Sequence, residues 1–465
     1  MRFAAALWIA ALAACAPGPR DARPNIVVFL ADDVGYSQLG FTGGTEVPTP
    51  HIDRLAAEGV ALEQFYVQPV CSPTRACLLT ARYAWRNGME RRPEATSAMG
   101  LRTDERTLAE ALSEVGYATW LVGKWHLGAW RSEHLPLQRG FDHHYGFYGA
   151  KIDSFTHLRG DILDWHRNET PVVEEGYSTF LLADESSRLI RERDPDRPFF
   201  LLVPFNAVHG PHQAPPEYVE RYDLEGEPQR QRAQLECMDL AIGRVLATLE
   251  AEGALEDTLV VFLNDNGGAP VAGPNGPYRG GKSDYHEGGI RVPAALRWPG
   301  RLPAGVRSDA LLHVVDLSRT LAGVAGADLA VETLDGLELW ATLAEGAPSP
   351  RTEIVHSLQV LRREDWKFIE AGASYYTWPT QPLQLYDLAR DPGEHHNVAA
   401  EHPEVVAAMR ARLAQCRALA RPGEPAAEIP DLDEVTVFGE RENERHGAEL
   451  RGRLPEARGG KRRGR

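Results

Sequence analysis

The sequence has 465 residues, of which 43% are hydrophobic and 25% charged. This composition is typical of a globular protein with one large core or two domains. Its formal net charge of −16 argues against a nucleic-acid-binding protein, because binding a phosphate backbone requires a basic surface. A small anionic substrate is not excluded, since a few cations in one cleft can dominate the local field.

The N-terminus has the features of an export signal. Arg2 precedes an apolar stretch of about a dozen residues, which is too short to span a bilayer and typical of a signal peptide. The stretch ends in LAAC at 12–15, which resembles the lipobox of bacterial lipoproteins. We therefore expect a signal peptide over 1–15, a lipid anchor on Cys15, a tether over 16–23 and a location in the bacterial periplasm or outer membrane. The alternative is ordinary cleavage after small residues, leaving Cys15 as a free thiol.

Four short apolar runs flanked by helix-like segments predict buried parallel strands. They lie at 25–30 (NIVVFL), 118–122 (ATWLV), 199–204 (FFLLVP) and 258–263 (TLVVFL). Helical periodicity covers 104–115 and 230–252, and each of these segments stops at a glycine, Gly116 or Gly253. Strands that alternate with helices predict an α/β fold, a large mostly parallel sheet with helices on both faces.

The pattern changes after about residue 330. Strand-like pieces at 353–358, 365–370 and 383–388 precede one helical segment at about 402–419. We expect a small C-terminal subdomain over 331–420, with an antiparallel sheet and one packing helix. Residues 421–465 are rich in proline and charge and predict a disordered tail with a basic end.

Each of the four predicted strands leads into a polar cluster. Open α/β sheets bind ligands just beyond the carboxyl ends of their strands, so these clusters are expected to meet. They contain, in chain order, Asp32 and Asp33; Lys124 and His126; His209 and His212; and Asp265 and Asn266.

Four of these side chains predict a metal site. Carboxylate and amide oxygens without histidine or cysteine suit a hard cation, Ca²⁺ in preference to Mg²⁺. Adjacent carboxylates would also repel each other if no cation lay between them. Either segment alone could be a turn or a helix cap. The proposed ligands are Asp32, Asp33, Asp265 and Asn266.

The remaining polar residues predict an anion site. Lysine and arginine hold anionic groups through charge-assisted hydrogen bonds, and histidine moves protons near neutral pH. Together with a cation they suit a tetrahedral oxyanion, either sulfate or phosphate. The set is Arg75, Lys124, His126, His209 and Lys282. Residues 276–283 (GPYRGGKS) match the phosphate-loop pattern, but the strand and helix that this motif needs are missing, so we interpret the match as a coincidence.

Cys71 begins the segment CSPTR at 71–75, a turn that leads into a predicted helix. A cysteine at a helix N-terminus can be an activated thiolate, although a small buried cysteine is the commoner case. CSPTR followed by LLTARY resembles the C-x-P-x-R signature of the type I sulfatases. NIVVFLADDVGYSQLGFTGG, VGKWHLG, NDNGG and KSDYHEGGIRVP resemble further segments of that family, in the same order, over about residues 24–400.

The resemblance implies an alkaline-phosphatase-like catalytic domain over 24–330 and a modified nucleophile. A separate formylglycine-generating enzyme would oxidise Cys71 to formylglycine, whose gem-diol attacks sulfur and forms a covalent sulfated enzyme. Carried over to this sequence, Asp32, Asp33, Asp265 and Asn266 would bind Ca²⁺ together with the group made from Cys71. Arg75 and Lys124 would stabilise the hydrated aldehyde, Lys124 and Lys282 would hold sulfate, His209 would protonate the leaving oxygen, and His126 would act as base.

Two details depart from the family pattern, and the pairing of the remaining cysteines is open. Thr74 stands where the family more often has serine or alanine, which could lower the efficiency of oxidation, and LTARY replaces LTGRY. With Cys15 and Cys71 set aside, three cysteines remain, Cys77, Cys237 and Cys416. Since three is odd, at least one of them stays free or pairs between chains.

Within the family, YVQPVCSPTR, YRGGKSDYHEGGIR and residues 123–157 resemble the arylsulfatase B group, the N-acetylgalactosamine-4-sulfatases. This implies a sulfated sugar, such as N-acetylgalactosamine 4-sulfate in glycosaminoglycan degradation, or an aryl sulfate. Substrate-facing candidates, each equally explained by loop packing, are Trp125, Trp130, His143, His144, Asp153 and His157.

Three other functions remain open. A phosphomonoester or phosphonate ester hydrolase of the same superfamily would share the metal and the modified cysteine. A non-catalytic lipoprotein that binds sulfated glycans would not need the complete set of candidate catalytic residues. A hydrolase could also use the unmodified thiol of Cys71.

Overall fold

The computed structural model describes residues 23–93, 99–160, 162–269, 274–329, 333–375 and 381–423. The predicted signal peptide, Cys15 and almost all of the tether and of the tail lie outside these ranges. Among the residues described, no helix is both long enough and apolar enough to cross a membrane.

Most strands of the described chain belong to one large sheet. The strands are β1 (Asn25–Ala31), β2 (Val60–Tyr66), β3 (Ala118–Lys124), β4 (His143–Phe147), β5 (Leu158–Arg159), β6 (Ile162–Leu163), β7 (His166–Arg167), β8 (Thr170–Pro171), β9 (Phe199–Pro204), β10 (Thr258–Asn264), β11 (Ala294–Arg297), β12 (Val306–His313), β13 (Glu353–Ser357), β14 (Val360–Arg363), β15 (Trp366–Ile369) and β16 (Gln384–Asp387). The large sheet has 10 strands in the order β12-β2-β11-β10-β1-β9-β3-β4-β7-β8.

The four predicted strands are confirmed as β1, β3, β9 and β10, and they are neighbours at the centre of this sheet. β1 pairs in parallel with both β9 and β10, and β9 pairs in parallel with β3. Alternate residues of β1 enter different cores, because successive side chains point to opposite faces of a sheet. Val28 lies in one core and Phe29 in the other, and both are fully buried.

Helices cover both faces of the sheet. The α-helices are α1 (Pro50–Ala57), α2 (Cys71–Thr80), α3 (Ala84–Asn87), α4 (Leu108–Glu114), α5 (Ser178–Glu192), α6 (Pro216–Val219), α7 (Glu227–Ala251), α8 (Glu287–Ile290), α9 (Val314–Val324), α10 (Trp340–Glu345) and α11 (Pro403–Arg417). Helices α1, α5 and α7 supply apolar side chains to the core on one face, and α2, α4 and α9 to the core on the other. The predicted architecture is therefore confirmed.

The helix predicted over 104–115 begins four residues later, at Leu108. Thr107 caps it, because its side chain accepts a hydrogen bond from the Glu110 amide while the Glu110 carboxylate accepts one from the Thr107 amide. This reciprocal capping box stops the helix from extending backwards. The helix predicted over 230–252 is longer at its start and runs from Glu227 to Ala251.

The small C-terminal antiparallel sheet is also confirmed. Strands β13, β14, β15 and β16 pair in that order, and β14 was not among the predicted strands. Helix α11 matches the helix predicted at about 402–419 and supplies Met409 and Leu413 to the same core as α2. The small sheet therefore packs onto the face of the large sheet that also carries Cys71.

Candidate active site

Adjacent strands place Asp32 and Asp265 side by side. Ala31 is in register with Asn264, so the residues that follow β1 and β10 leave the sheet together. The Asp265 amide donates to the Ala31 carbonyl at 3.1 Å, and both carboxylates are completely buried. Lys124 ends β3 on the same edge. The sheet therefore brings together residues that lie far apart in the sequence, as predicted for the carboxyl ends of parallel strands.

Arg75 joins these strand ends from helix α2. Its Nη2 lies 2.8 Å from Asp265 Oδ2 and 3.3 Å from Asp32 Oδ2, and its Nη1 donates to the Lys124 carbonyl at 2.9 Å. Arg75 is 3% exposed, so these contacts form in a poorly hydrated interior. One guanidinium thus fixes the relative positions of three strand ends, which suits its planar set of donors.

The two buried carboxylates differ in their electrostatic surroundings. Burial alone would raise the pKa of Asp32, but Lys124 at 2.5 Å, followed by His209 and Arg75, holds that pKa well below its usual range. Burial, together with the nearby charge of Asp32, raises the pKa of Asp265 to about 7. The raised pKa of Asp265 indicates that Arg75 and Lys124 do not fully offset the burial and the negative charge around this carboxylate.

Asp33 is the centre of a second group of contacts. Its backbone is left-handed, with φ 67°, which turns its side chain away from the path of β1. Lys282 Nζ lies 2.6 Å from Asp33 Oδ1 and 2.8 Å from Oδ2, and Asn266 Nδ2 donates to Oδ1 at 2.7 Å. His209 Nε2 is 3.8 Å from Oδ2. All the proposed ligands and both lysines therefore meet at one place.

Unpaired oxygens show that the predicted ligands fit a hard cation. Asp32 Oδ1, Asp265 Oδ1 and Asn266 Oδ1 are buried and have no hydrogen-bond partner among the residues described. Buried oxygens of this kind are costly unless a partner satisfies them. Asp32, Asp33 and His209 can also bring one ligand atom each within 4.8 Å of one another. Carboxylate and amide oxygens suit Ca²⁺, while the histidine was predicted as an acid and not as a ligand.

Cys71 is the first residue of α2, as predicted, and is 3% exposed. Its Sγ lies 3.1 Å from His126 Nδ1, and His126 has a left-handed backbone with φ 59°. Burial raises the pKa of the Cys71 thiol, although Lys124 and Lys282 oppose that shift. Because the thiolate is the reactive form of cysteine, the surroundings of Cys71 disfavour an unmodified thiol as nucleophile.

The two candidate proton-transfer histidines are both kept neutral. Burial, followed by Lys124 and Arg75, lowers the pKa of His126 well below its usual value, and its Nε2 has no partner among the residues described. A neutral imidazole can accept a proton. Burial lowers the pKa of His209 to about 4 despite the nearby Asp33 and Asp32. His209 must therefore gain a proton when an anionic substrate binds before it can donate one.

Thr74, the departure from the family pattern, is buried and closes the turn before α2. Its Oγ1 accepts a hydrogen bond from the Gln68 amide at 2.9 Å and donates one to the Gln68 carbonyl at 3.3 Å. The hydroxyl therefore stabilises the loop that carries Cys71. Both contacts lie away from the carboxylates of the site.

Packing explains most of the candidates for substrate contact. Trp125, Trp130, His144 and His157 are buried. Trp125 donates to the His134 carbonyl at 2.9 Å, and the His157 ring stacks on Trp165 with centroids 4.4 Å apart. Asp153 and His143 are partly buried. Gln213 Nε2 donates to Asp153 Oδ2 at 2.6 Å, and His143 Nε2 lies 2.8 Å from Glu185 Oε1. The alternative interpretation, ordinary loop packing, describes the four buried residues. Cys77, Cys237 and Cys416 are all free and buried.

A group of buried charged residues near the site was not predicted from the sequence. Glu287, Lys367 and Glu394 are each completely buried. Lys367 Nζ lies 2.9 Å from both Glu287 Oε1 and Glu394 Oε1. The available signal was the position of Lys367 inside an apolar strand (WKFI), where lysine is uncommon unless it is paired.

Known proteins resemble this chain along most of its length. The family model described as Sulfatase matches residues 24–327. Arylsulfatase J of Mus musculus is 32% identical over 86% of this chain and 77% of its own length. N-acetylgalactosamine-6-sulfatase of Canis lupus familiaris is 32% identical over 90% of both proteins. The crystal structure of Ps i-CgsB in complex with k-i-k-neocarrahexaose has a TM-score of 0.79 at 27% identity and covers 93% of this chain and 100% of that one.

Proposed function

This chain belongs to the sulfatase family, and we propose that its substrate is a sulfated saccharide from which it removes sulfate through a formylglycine made from Cys71. Its fold is alkaline-phosphatase-like, and its activity is that of a sulfuric-ester hydrolase. The observation that carries the proposal is the contact set at the strand ends. Cys71, Arg75, two lysines, two histidines and three buried carboxylates converge there.

Lys124 and Lys282 are the groups that would hold the sulfate oxygens. Each is already paired with a carboxylate of the site, Lys124 with Asp32 at 2.5 Å and Lys282 with Asp33 at 2.6 Å. These pairs fix both ammonium groups before substrate arrives, so little reorganisation is needed when negative charge develops on the sulfuryl group. Lys282 is 17% exposed and Lys124 is buried, so the sulfate would enter from the side of Lys282.

Asp32, Asp33, Asp265 and Asn266 are the residues that would hold a cation, which we propose to be Ca²⁺. Their unpaired buried oxygens support this assignment. A bound cation of this kind offsets negative charge on the reacting oxygens. Formylglycine, once hydrated, supplies two hydroxyl groups, one to attack sulfur and one whose loss of a proton releases the sulfate.

His126 and His209 divide the proton transfers. His126 Nδ1 lies 3.1 Å from the Cys71 side chain, and its low pKa keeps it neutral, so it suits the base that acts on the modified residue. His209 lies on the other side, near Asp33, and is 20% exposed. It is placed to protonate the oxygen of the leaving alcohol after the anionic substrate has raised its pKa.

A saccharide is supported by the relatives already described. One is named for an N-acetylgalactosamine sulfate, and the structural neighbour was crystallised with a neocarrahexaose. The position of the sulfate is the finest part of the proposal: the resemblance of residues 123–157 to the arylsulfatase B group points to N-acetylgalactosamine 4-sulfate, whereas the relative named above is a 6-sulfatase.

Four experiments test this function. Mass spectrometry of the peptide that contains Cys71 should show formylglycine, and Cys71→Ala should abolish turnover while the thermal unfolding curve stays close to that of the parent. A panel of 4-sulfated and 6-sulfated N-acetylgalactosamine saccharides should identify the preferred ester. Matched aryl sulfate and aryl phosphate esters provide the comparison, and a large preference for phosphate would replace this proposal with a phosphoester or phosphonate ester hydrolase.

We also propose that the protein is exported and carries a lipid on Cys15 in the bacterial periplasm or outer membrane. The support is the LAAC segment at 12–15, which lies outside the described residues. Cys15→Ala should move the protein from the membrane fraction to the soluble fraction, and unchanged partitioning would contradict the anchor.

A further inference from the structure

The C-terminal sheet contributes a buried cation, Lys367 on β15, to the interior behind the active site. Its Nζ lies 2.9 Å from Glu287 Oε1 and 2.9 Å from Glu394 Oε1, and all three side chains are fully buried. Glu394 also accepts a hydrogen bond from the Glu287 amide at 2.6 Å. One ammonium therefore ties two carboxylates from different parts of the chain to the small sheet.

One of those carboxylates belongs to the stretch that carries Lys282. We call residues 274–290 the Lys282 segment; it comprises a loop and the short helix α8, which begins at Glu287. Lys282 is five positions before Glu287. Inside the segment, the Gly288 amide donates to the Arg279 carbonyl at 2.7 Å, so the loop folds back onto the start of α8. Displacing Glu287 would therefore shift the whole loop.

The small sheet holds this segment at two further points. His286 Nε2 lies 2.9 Å from Gln384 Oε1 on β16. Arg279 donates to the Tyr386 hydroxyl at 3.0 Å and to the Glu394 carbonyl at 3.1 Å. Both ends of the loop are thus attached to the C-terminal sheet, on either side of Lys282.

The same cluster is also connected to the segment before Cys71 and to the turn that carries Asn266. Tyr66, at the end of β2, donates its hydroxyl to Glu287 Oε2 at 2.5 Å. Its neighbour Val67 donates to the Ile290 carbonyl at 2.8 Å, four residues before Cys71. The Gly267 amide, next to Asn266, donates to the Gly289 carbonyl at 2.9 Å. Helix α8 is therefore the common attachment point of the Lys282 loop, the approach to Cys71 and the metal-ligand turn.

The buried charge of Lys367 affects how close Glu394 and Glu287 can lie. Glu287 and Glu394 are both acidic and converge on the same cation, so without Lys367 they would repel each other and Glu394 would lose its ion-pair partner in a dry interior. The arginines close to the cluster contact Glu287 and the tyrosine: Arg291 Nη1 is 3.5 Å from Glu287 Oε2, and Arg362 donates to the Tyr66 hydroxyl. Lys367 is thus the group that holds Glu394 against Glu287.

We propose that Lys367 is a positioning residue for Lys282, so that the C-terminal sheet sets where the sulfate-holding ammonium stands. This inference rests on the proposed function, in which Lys282 binds sulfate oxygens. Lys367 acts only through Glu287 and the Lys282 segment and contacts none of the proposed catalytic groups. The C-terminal sheet is then a working part of the active site as well as a packing element.

The test is a double-mutant cycle between Lys367→Met and Lys282→Met, with two readouts. The first is kcat/KM on a sulfate ester, and the second is the affinity for inorganic sulfate measured by calorimetry. A misplaced Lys282 should lower kcat/KM by about 10²-fold in the otherwise unaltered enzyme. Once Lys282 is already methionine, Lys367→Met should cost only about twofold, because the group that it positions is gone. Additive losses would overturn the proposal.

Arg351→Met is the matched control. Arg351 is a buried cation paired with the buried Asp316, and it lies outside the contacts that hold the Lys282 segment. Its replacement should lower thermal stability as Lys367→Met does, yet leave sulfate affinity unchanged. An equal loss of sulfate affinity in both variants would show a general effect of destabilisation and would overturn the proposal.

Glu394→Gln decides the question if Lys367→Met does not fold. Glutamine keeps an oxygen for the Glu287 amide but removes one buried charge, so the chain should fold, bind sulfate more weakly and again show non-additivity with Lys282→Met. Additivity here would refute the positioning role. If the unaltered, formylglycine-containing enzyme hydrolyses no sulfate ester, the proposed function fails instead, and calorimetry with inorganic sulfate still decides the role of Lys367.

Discussion

Replacing Arg75 with methionine should separate the structural role of the strand-end cluster from its chemistry. The guanidinium is buried and contacts Asp265 Oδ2 at 2.8 Å, Asp32 Oδ2 at 3.3 Å and the Lys124 carbonyl at 2.9 Å. Asp32 keeps Lys124 at 2.5 Å in the variant, whereas Asp265 loses the one side-chain hydrogen bond recorded for it among the described residues. The dominant effect should therefore be an unpaired Asp265.

The expected cost follows from the burial of both partners. Removing one member of a buried ion pair destabilises a protein by about 3–5 kcal/mol, because the remaining carboxylate must either stay unpaired or take up a proton. A bound divalent cation would compensate part of this charge, so the loss should be smaller in Ca²⁺ than in chelator. Arg75→Lys keeps the charge but cannot reach all three acceptors at once, so its stability should lie between those of the parent and of Arg75→Met.

The assay is urea unfolding of the parent and the two variants, each with Ca²⁺ and with a chelator. Arg75→Met should lose several kcal/mol of stability, and Ca²⁺ should visibly reduce that loss. A loss of no more than about 1 kcal/mol, the size seen for exposed ion pairs, would refute it. An identical loss with and without Ca²⁺ would show that the carboxylates of Asp32 and Asp265 do not share a cation.

Three further outcomes are expected. Chelation should remove activity and lower the melting temperature, and Ca²⁺ should restore both, with about 2.7 kcal/mol of stabilisation at a hundredfold excess over Kd; recovery with Mg²⁺ alone would contradict the preference. Burial raises the pKa of Asp239 to about 7, so the folded state holds its proton between about pH 4 and pH 7 and loses stability as pH rises through that window. Asp239→Asn should therefore gain stability relative to the parent from pH 5 to pH 7, and a constant difference in urea unfolding would count against this. Thr107→Ala should destabilise the protein by about 1 kcal/mol in the same unfolding experiment, because the capping box is lost. An unchanged unfolding midpoint would show that the cap does not stabilise the protein.

The sequence predicts the central sheet well because its strands are continuous apolar runs. β1, β3, β9 and β10 lie in the middle of a sheet covered on both faces, so most of their side chains are apolar whichever way they point. Strands β7 and β8 at one end of the sheet, two residues each, carry no such run; β7 is fixed by pairing with β4, and β8 by pairing with β7. Short strands of this kind depend on tertiary contacts that a local pattern does not contain.

The polar residues of the site were predictable for the same topological reason. A residue that follows a central parallel strand is placed by the sheet, as Asp32 and Asp265 are. Substrate-facing candidates had no such constraint, and several proved to be ring-stacked packing residues, such as His144 against Tyr148. Lys367 and Glu394 were missed because they come from the C-terminal part of the chain, and their meeting with Glu287 depends on how the two sheets pack.

If Cys71 is oxidised to formylglycine as proposed, its burial sets the timing of that step. The side chain is 3% exposed, and every residue of α2 is buried. A modifying enzyme that must bind the residues around this cysteine cannot reach them once the helix has packed. Under the proposed function, oxidation would therefore compete with folding, and a molecule that folded first would stay an inert copy with a normal melting curve. The specific activity of a preparation would then depend on how far oxidation preceded folding in each host. Two batches with identical stability could differ severalfold in the number of active molecules.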